Sequence, residues 1–154
     1  IHDEGIGIYA TFVFGYDNDT LETFARTLAF ARKHNFYTAA FNHLLPFPGT
    51  PLYSRFKDEN KLIYDKWWLE EDYHYGSLAF YPQQMSPEEL SCSCLDLRKK
   101  FAGFKTVIRR GVASMKRSSP LMWSLFWAMN LRLGEEVSQK MNVPIGQNLD
   151  EYPK

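Results

Sequence analysis

Two short apolar runs near the start of the chain each stop abruptly in polar or proline-containing sequence. The first runs over residues 8–14 and ends at Gly15, and the second runs over residues 36–45 and ends at Pro46. Their phenylalanine, valine, isoleucine and tyrosine content favours strands, and one helix-length segment separates them. The sequence therefore predicts a strand–helix–strand unit, whose functional loops lie at the carboxyl ends of the strands.

Helical patterns account for most of the remaining chain. The first helix is predicted from Asp19 or Thr20 to about Asn35, with Asp19 and Glu22 as its capping box. Its apolar stripe is Leu21, Phe24, Leu28 and Ala31. The later predicted elements are a short helix over 52–60, an irregular aromatic segment over 61–85 with one strand near 78–81, and a tail over 142–154.

Two further helices are predicted in the second half of the chain. Ser86, Pro87 and Glu89 form a strong helix start. We expect one helix from there to about residues 111–117, with a packing seam at Leu90, Cys94, Leu97, Phe101, Phe104 and Ile108. The segment 121–133 is apolar nearly all round but shorter than the ~20 residues that span a bilayer. It is a buried core helix, a docking helix or an interfacial helix.

The charge of the chain is balanced overall but unevenly distributed. The 154 residues carry no net charge, so nothing global favours nucleic acid as a partner. Residues 1–85 hold 7 basic and 11 acidic side chains, whereas residues 86–117 hold 8 basic and 3 acidic ones. The basic stretch is either a solvated helix face or a surface that meets a phosphate or an acidic lipid.

Cysteine usage indicates a reduced, cytoplasmic protein, with membrane association as a second option. The two cysteines, Cys92 and Cys94, point about 200° apart on a helix and make a poor chelate and a poor disulfide. The opening Ile1–Gly5 reads as mid-protein sequence without a signal peptide. We expect the chain to be the C-terminal portion of a longer protein.

An ordered series of short segments occupies residues 2–6, 11–20, 46–53, 67–69, 72–73, 75–76, 80, 82, 85–86 and 143–146, together with the paired C-terminal helices. The series resembles the C-terminal portion of radical S-adenosylmethionine (SAM) proteins, in the branch that often carries an N-terminal cobalamin (B12)-binding domain. Each segment alone is weak evidence for the family, whereas the ordered set is fairly specific for it and covers nearly the whole chain.

The resemblance implies an α/β fold, consisting of the last two βα units of a partial (β/α)6 TIM-like barrel plus a mainly helical C-terminal extension. Residues 1–60 would complete the radical SAM barrel, and residues 61–154 would form the aromatic-rich and helical extension. It also implies SAM and a [4Fe-4S] cluster as cofactors of the parent protein, and leaves cobalamin open. The cluster needs three cysteines in a Cys-x3-Cys-x2-Cys loop, so we expect this chain alone to bind no cofactor or metal and to be inactive.

The resemblance also suggests six positions that contact the adenine and ribose of SAM through backbone and apolar groups. They are Phe12, Phe14, Gly15, Asn42, Leu44 and Leu45. Four of them have a structural alternative: the two phenylalanines pack the barrel, Gly15 serves only a turn, and Asn42 is a satisfied core amide.

Four other polar residues are weaker candidates. Asp17 and Asp19 are too sparse for a calcium loop, and capping of the following helix is the preferred interpretation. His43 could face a barrel interior, and His74 could contact a substrate, although structural roles are favoured for both.

Two functions follow from the sequence. The first is a fragment of a radical SAM enzyme, whose parent cleaves SAM to a 5′-deoxyadenosyl radical or performs cobalamin-dependent methyl transfer on a small, hydrophobic or lipid-like substrate. Its main partner would be the upstream part of the same polypeptide, and nucleic acid is not expected. The alternative is a non-catalytic module that docks a partner or a membrane surface through the apolar helix and the basic face near Arg109.

Overall fold

A parallel pair of strands, a connecting helix and four further α-helices make up the described part of the protein. The computed structural model describes residue 4 and residues 6–70, 73–115 and 118–139. The elements in chain order are β1 (Tyr9–Phe14), α1 (Leu21–Lys33), β2 (Thr38–His43), α2 (Pro51–Asp58), a 3₁₀ turn (Trp67–Leu69), α3 (Pro87–Ala102), α4 (Phe104–Met115) and α5 (Pro120–Gln139). The predicted tail over 142–154 lies outside the described residues.

The strand–helix–strand prediction is confirmed. The two strands pair in parallel, in a register that runs from Tyr9 opposite Thr38 to Phe14 opposite His43. They form a two-stranded sheet in the described part of the chain. The arrangement is mixed α/β, with every helix after α1 following the second strand.

One face of the sheet is packed and the other is open. On β1, Phe14 stacks on Phe24 of α1 with ring centroids 4.4 Å apart, and Phe12 stacks on Phe41 of β2 at 5.3 Å. The intervening residues alternate to the other face, where Tyr9 is 64% exposed and Val13 is 40% exposed. The sheet therefore has one helix-covered side, to which Phe24, Leu28 and Ala31 of the predicted α1 stripe contribute; Leu21 of that stripe is exposed.

The capping prediction is confirmed for α3; for α1 the predicted alternative Thr20 is the cap, and the predicted Asp19–Glu22 capping box is wrong. In α3, the Ser86 hydroxyl accepts a hydrogen bond from the Glu89 N–H at 3.1 Å, and the Ser86 N–H donates to the Glu89 carboxylate at 2.8 Å. In α1 the N-cap is Thr20, whose N–H donates to the Thr23 hydroxyl at 3.2 Å. Asp19 does not cap, because its carboxylate is taken by N–H groups of its own loop.

The long helix predicted after Ser86 is broken at Gly103. Gly103 is extended, with φ −61° and ψ 141°, so α3 ends and α4 starts anew beside it. Glycine is a weak helix former, and the break turns the chain so that α4 packs on α5. The first four residues of the predicted seam (Leu90, Cys94, Leu97 and Phe101) are buried, whereas Phe104 and Ile108 beyond the break are exposed.

The aromatic segment between α2 and α3 folds without the predicted strand. Phe80 makes an isolated antiparallel bridge with Leu62, supported by a hydrogen bond from the Tyr81 N–H to the Lys61 carbonyl at 2.7 Å. The segment also builds a second apolar cluster around Trp67, Tyr73 and Ala79. A single bridge is enough here because aromatic packing, rather than a strand ladder, holds this segment.

Helix α5 is longer than predicted and lies on the protein surface. Phe126 and Asn130 are buried, whereas Leu121, Leu125 and Met129 are exposed. It is therefore a partly buried packing helix rather than a fully covered one. Within the described ranges, no helix combines the length and the apolar content that crossing a bilayer would require.

A buried arginine joins the helical extension to the sheet. Arg110 of α4 is fully buried and donates to the carbonyls of Phe36, Tyr37 and Phe101 at 3.0–3.1 Å. Its guanidinium also lies 3.9 Å from the centroid of the Phe101 ring. Burial, with a smaller contribution from the neighbouring charge of Arg109, lowers the pKa of Arg110 to about 10. Carbonyl dipoles and a ring face, rather than a carboxylate, therefore surround the cation, and its Nε is buried without a hydrogen-bond partner among the described residues.

We predict that Arg110→Ala destabilises the protein by about 3 kcal/mol or more, because the substitution leaves a cavity and removes a hydrogen-bond donor from three carbonyls. The matched control is Arg109→Ala, which removes an exposed neighbouring cation and should cost less than about 1 kcal/mol. Urea unfolding of both variants measures the difference. Equal costs would contradict the role assigned to Arg110.

Candidate functional site

The loop that follows β1 is closed by an aspartate. The Asp19 carboxylate accepts hydrogen bonds from the N–H groups of Gly15 and Tyr16 at 2.9 and 3.0 Å. Asp17, in the same loop, pairs instead with Arg55 of α2 at 2.7 Å. The sequence interpretation of both aspartates as caps of α1 is therefore wrong, because the turn and α2 offer them better placed donors.

Gly15 occupies a position that a larger residue would disturb. Its φ is +106°, and a Cβ there would lie 2.9 Å from both the Leu90 and the Phe80 side chains. The neighbouring Phe14 carbonyl accepts a hydrogen bond from the Leu44 N–H at 2.7 Å, which joins the carboxyl ends of both strands. The glycine thus allows α3 and the Phe80 segment to pack against the end of β1.

The six predicted SAM-contact residues fall into separate environments. Phe14, Gly15 and Leu44 lie together in the buried core at the carboxyl ends of the strands, and Phe12 packs against that core from β1. Leu45 packs with the second apolar cluster. Because the rings of Phe12 and Phe14 are held by protein, any ligand contact from these two residues would come from their backbone. Cofactor contact at these positions stays a prediction.

Asn42, the sixth predicted residue, lies at a polar site that includes an unpredicted arginine. Arg98 of α3 donates from Nε to the Phe41 carbonyl at 2.8 Å and from Nη2 to the Asn42 side-chain oxygen at 3.0 Å. Its guanidinium lies 5.8 Å from the centroid of the Tyr75 ring. Asn42 therefore has a structural partner, as its core-amide alternative anticipated, and it orients a cation.

A cavity of about 340 Å³ opens beside this arginine. It is lined by Thr38, Asn42, Tyr75 and Arg98, together with Ala40 and with Leu133 and Val137 of α5. The volume falls at the small end of the range for ligand sites. A cavity with an apolar wall and a cation suits an organic anion whose remaining surface is apolar.

The arginine was missed because its sequence neighbourhood is a run of basic residues. Arg98, Lys99 and Lys100 read together as a solvated face. The available signal was position, since Arg98 follows the buried Cys94 by one helical turn and adjoins the buried Leu97. That spacing places Arg98 at the margin of the packed seam rather than on its solvent side.

His43, at the end of β2, is held neutral. Burial is the larger cause and the charge of Arg98 the smaller one, and together they lower the pKa of His43 to about 4. In the alternation of β2 it shares the side of the buried Ala39 and Phe41 rather than that of Asn42. Its imidazole can donate and accept hydrogen bonds but carries no charge near neutral pH.

The cysteines do not form a metal or cluster site. Cys92 is exposed and Cys94 is buried, and burial raises the pKa of the Cys94 thiol to about 12. A cluster ligand must be a thiolate, so Cys94 has the opposite character. Across the described residues, no group of three or more His, Cys, Asp or Glu side chains could hold a metal ion. The residues present do not fit an iron–sulfur cluster.

The chain is similar to a curated methyltransferase. It is 30% identical over 128 residues to the bacteriochlorophyllide d C-12(1)-methyltransferase of Chlorobaculum tepidum, a match that covers 82% of this chain and 25% of the relative. The chain thus spans about a quarter of the length of that relative. No family model matches the chain. No solved structure matches it either.

We predict that Gly15→Ala destabilises the protein by about 2–4 kcal/mol, since it adds both backbone strain and overpacking. Gly49→Ala is the matched control, because Gly49 also has a positive φ, +80°, but nothing lies within 4 Å of its added Cβ. That variant should lose about 1 kcal/mol. Thermal or urea unfolding separates the two, and similar losses would refute close packing at Gly15.

Stability should fall in mild acid because His43 must charge. Its pKa is lowered in the folded state, so the folded protein binds the proton less well than the unfolded chain, whose ordinary value is 6.5. The contribution is fully present above pH 6.5 and is lost as the pH falls toward 4, to a total of about 3 kcal/mol. Urea unfolding of the wild type and of His43→Gln across this range measures it. Identical pH dependences would contradict the shift.

Proposed function

We propose that this chain is the C-terminal part of a larger radical SAM methyltransferase that modifies a chlorophyllide-like tetrapyrrole. The observation that carries the proposal is the 30% identity to the bacteriochlorophyllide d methyltransferase over 82% of the chain. The ordered series of segments that resembles the radical SAM family points to the same class. The parent protein, rather than this chain alone, would be the enzyme.

The asymmetry of the sheet supports a position at the end of a barrel. The outer edge of β2 is covered by α3, because Arg98 takes the Phe41 carbonyl there. No strand in the described part of the chain pairs with the outer edge of β1. An open strand edge favours addition of another strand. We therefore propose that preceding strands of a partial (β/α)6 barrel pair with β1, and that β2 is the last strand.

The open face of the sheet would then line the barrel interior. Thr11 and Val13 of β1 and Asn42 of β2 alternate to that face, and these side chains would meet the contents of the barrel. The parent would hold a [4Fe-4S] cluster on cysteines outside this chain, and SAM beside it. Such cofactors carry the chemistry, while the protein binds, orients and shields. Cobalamin as a further cofactor is part of the same proposal.

A second candidate function rests on the surface of α4. Phe104, Ile108, Val112 and Met115 form an exposed apolar stripe at helical spacing. Lys105 and Arg109 lie within the same helix, which carries no acidic residue. A basic, apolar helix face is typical of interfacial docking on anionic membranes. The docking function and the enzymatic function predict different results for the same purified polypeptide.

The test is anaerobic assay of the full natural polypeptide that contains this chain, with reductant, methyl-labelled SAM and bacteriochlorophyllide d. We expect the pigment to gain one methyl group, measured by mass spectrometry. Thr11→Trp should slow methyl transfer at least about 10-fold, because a bulky ring would displace the bound reactants. The control Arg26→Trp adds the same ring to the exposed side of α1 and should leave the rate unchanged.

The outcomes separate the two functions. Loss of SAM turnover in Thr11→Trp, with normal thermal stability, supports the barrel. A polypeptide that neither cleaves SAM nor methylates pigment, yet floats with vesicles of anionic lipid, would replace the enzyme proposal with the docking module. Equal rates of methyl transfer in Thr11→Trp and Arg26→Trp would show that the open face of the sheet does not line the reaction site.

A further inference from the structure

The guanidinium of Arg98 uses only some of its N–H donors in hydrogen bonds to the protein. A guanidinium has five N–H donors, and within the described residues Arg98 employs one on Nε and one on Nη2. Both donors of Nη1 and the second donor of Nη2 are left. These remaining groups form the end of the fork, where a carboxylate binds through two parallel hydrogen bonds. The arginine is therefore oriented by the protein and still open to a ligand.

The environment of Arg98 favours an external anion. The described residues give it no ion pair, unlike Arg55, Lys57, Lys61 and Lys100, which all pair with carboxylates. Its two protein acceptors are neutral, so its positive charge is not compensated by them. A half-buried cation next to a cavity attracts an anion more strongly than a fully solvated one.

The walls of the cavity select the kind of anion. The Tyr75 ring flanks the guanidinium, and Ala40, Leu133 and Val137 supply apolar surface. One arginine matches the two oxygens of a carboxylate, whereas phosphate sites generally collect more donors. About 340 Å³ accommodates a carboxylate side chain and the adjoining edge of a larger apolar molecule.

We propose that this cavity binds a carboxylate of the substrate, with Arg98 as the recognising group and Asn42 as the residue that positions it. The proposal deepens the proposed function and rests on it for the choice of substrate. A chlorophyllide carries an unesterified propionate on an apolar macrocycle, which is the chemistry that the cavity fits. SAM is a second source of a carboxylate, so the experiment must tell the two apart.

The experiment measures binding to the full natural polypeptide by fluorescence titration. The probes are pyropheophorbide a, a chlorin with one free carboxylate, and its methyl ester, which has the same ring without the charge. We expect the wild type to bind the acid about 10-fold or more tightly than the ester, as charge-assisted hydrogen bonds require. SAM is titrated in parallel.

Two variants test the arginine. Arg98→Met should bind acid and ester equally. Asn42→Asp should do the same while keeping the fold, because the new carboxylate has almost the shape of the amide and cancels the positive charge of Arg98. Arg26→Met is the control, which removes an exposed cation from α1 and should keep the wild-type preference. If Arg98→Met does not fold, judged by circular dichroism, Asn42→Asp still decides the question.

Each outcome counts for or against the proposal. Loss of the acid preference in both variants, with SAM affinity unchanged, supports it. Loss of SAM affinity with an unchanged acid preference would assign the arginine to the cofactor and overturn it. Equal binding of acid and ester by the wild type, or binding of neither, also overturns it, while the methyl-transfer assay decides the proposed function separately.

Discussion

The helical extension depends on one buried cation for its attachment to the sheet. Arg110 takes carbonyls from the start of β2 and from the end of α3, and Asn130 of α5 donates to the same Tyr37 carbonyl at 3.2 Å. The Tyr37 hydroxyl in turn donates to the Met122 carbonyl of α5 at 2.7 Å. Helices α4 and α5 thus both bond to one two-residue stretch before β2, and Arg110 also links that stretch to the end of α3. The break at Gly103 is what lets α4 turn back and deliver Arg110 to this point.

The two ends of β2 use arginine in different ways. Arg110 at the start is fully buried, and carbonyls and a ring face surround its guanidinium. Arg98 at the end takes the Phe41 carbonyl and the Asn42 amide, and lies beside a cavity. Both solve the same problem, since an edge strand presents unpaired carbonyls. The first solution leaves no room for a ligand, whereas the second leaves part of the fork available.

Local sequence rules were sufficient where one element dominates its own surroundings. The apolar runs predicted the parallel pair, and Ser86 with Glu89 predicted the start of α3, because strand propensity and capping act within a few residues. The same rules failed where contacts come from far along the chain. Asp19 is as good a cap as Thr20 in isolation, and only the folded loop directs it to Gly15 and Tyr16.

Charge was the least readable property of this sequence. A basic stretch over residues 86–117 contains an arginine that holds the fold, an arginine beside a cavity, and an ordinary surface pair between Lys100 and Asp96 at 2.6 Å. The net charge and the length of the basic stretch do not distinguish these three roles. What separates them is whether a backbone carbonyl lies within reach, which depends on tertiary packing. The packing seam of α3 is the one sequence feature that distinguishes Arg98 from its neighbours.

The open edge of β1 and the cavity are parts of one surface. Tyr9, at the start of β1, also lines the cavity next to Thr38 of β2, its partner in the register. A strand added along β1 would therefore extend the wall on which Asn42 and Arg98 already lie. In the proposed barrel this would make the interior and the arginine cavity continuous. A substrate could then be held by its carboxylate in the extension while its reacting carbon lies over the sheet, so that recognition and chemistry are built on different elements.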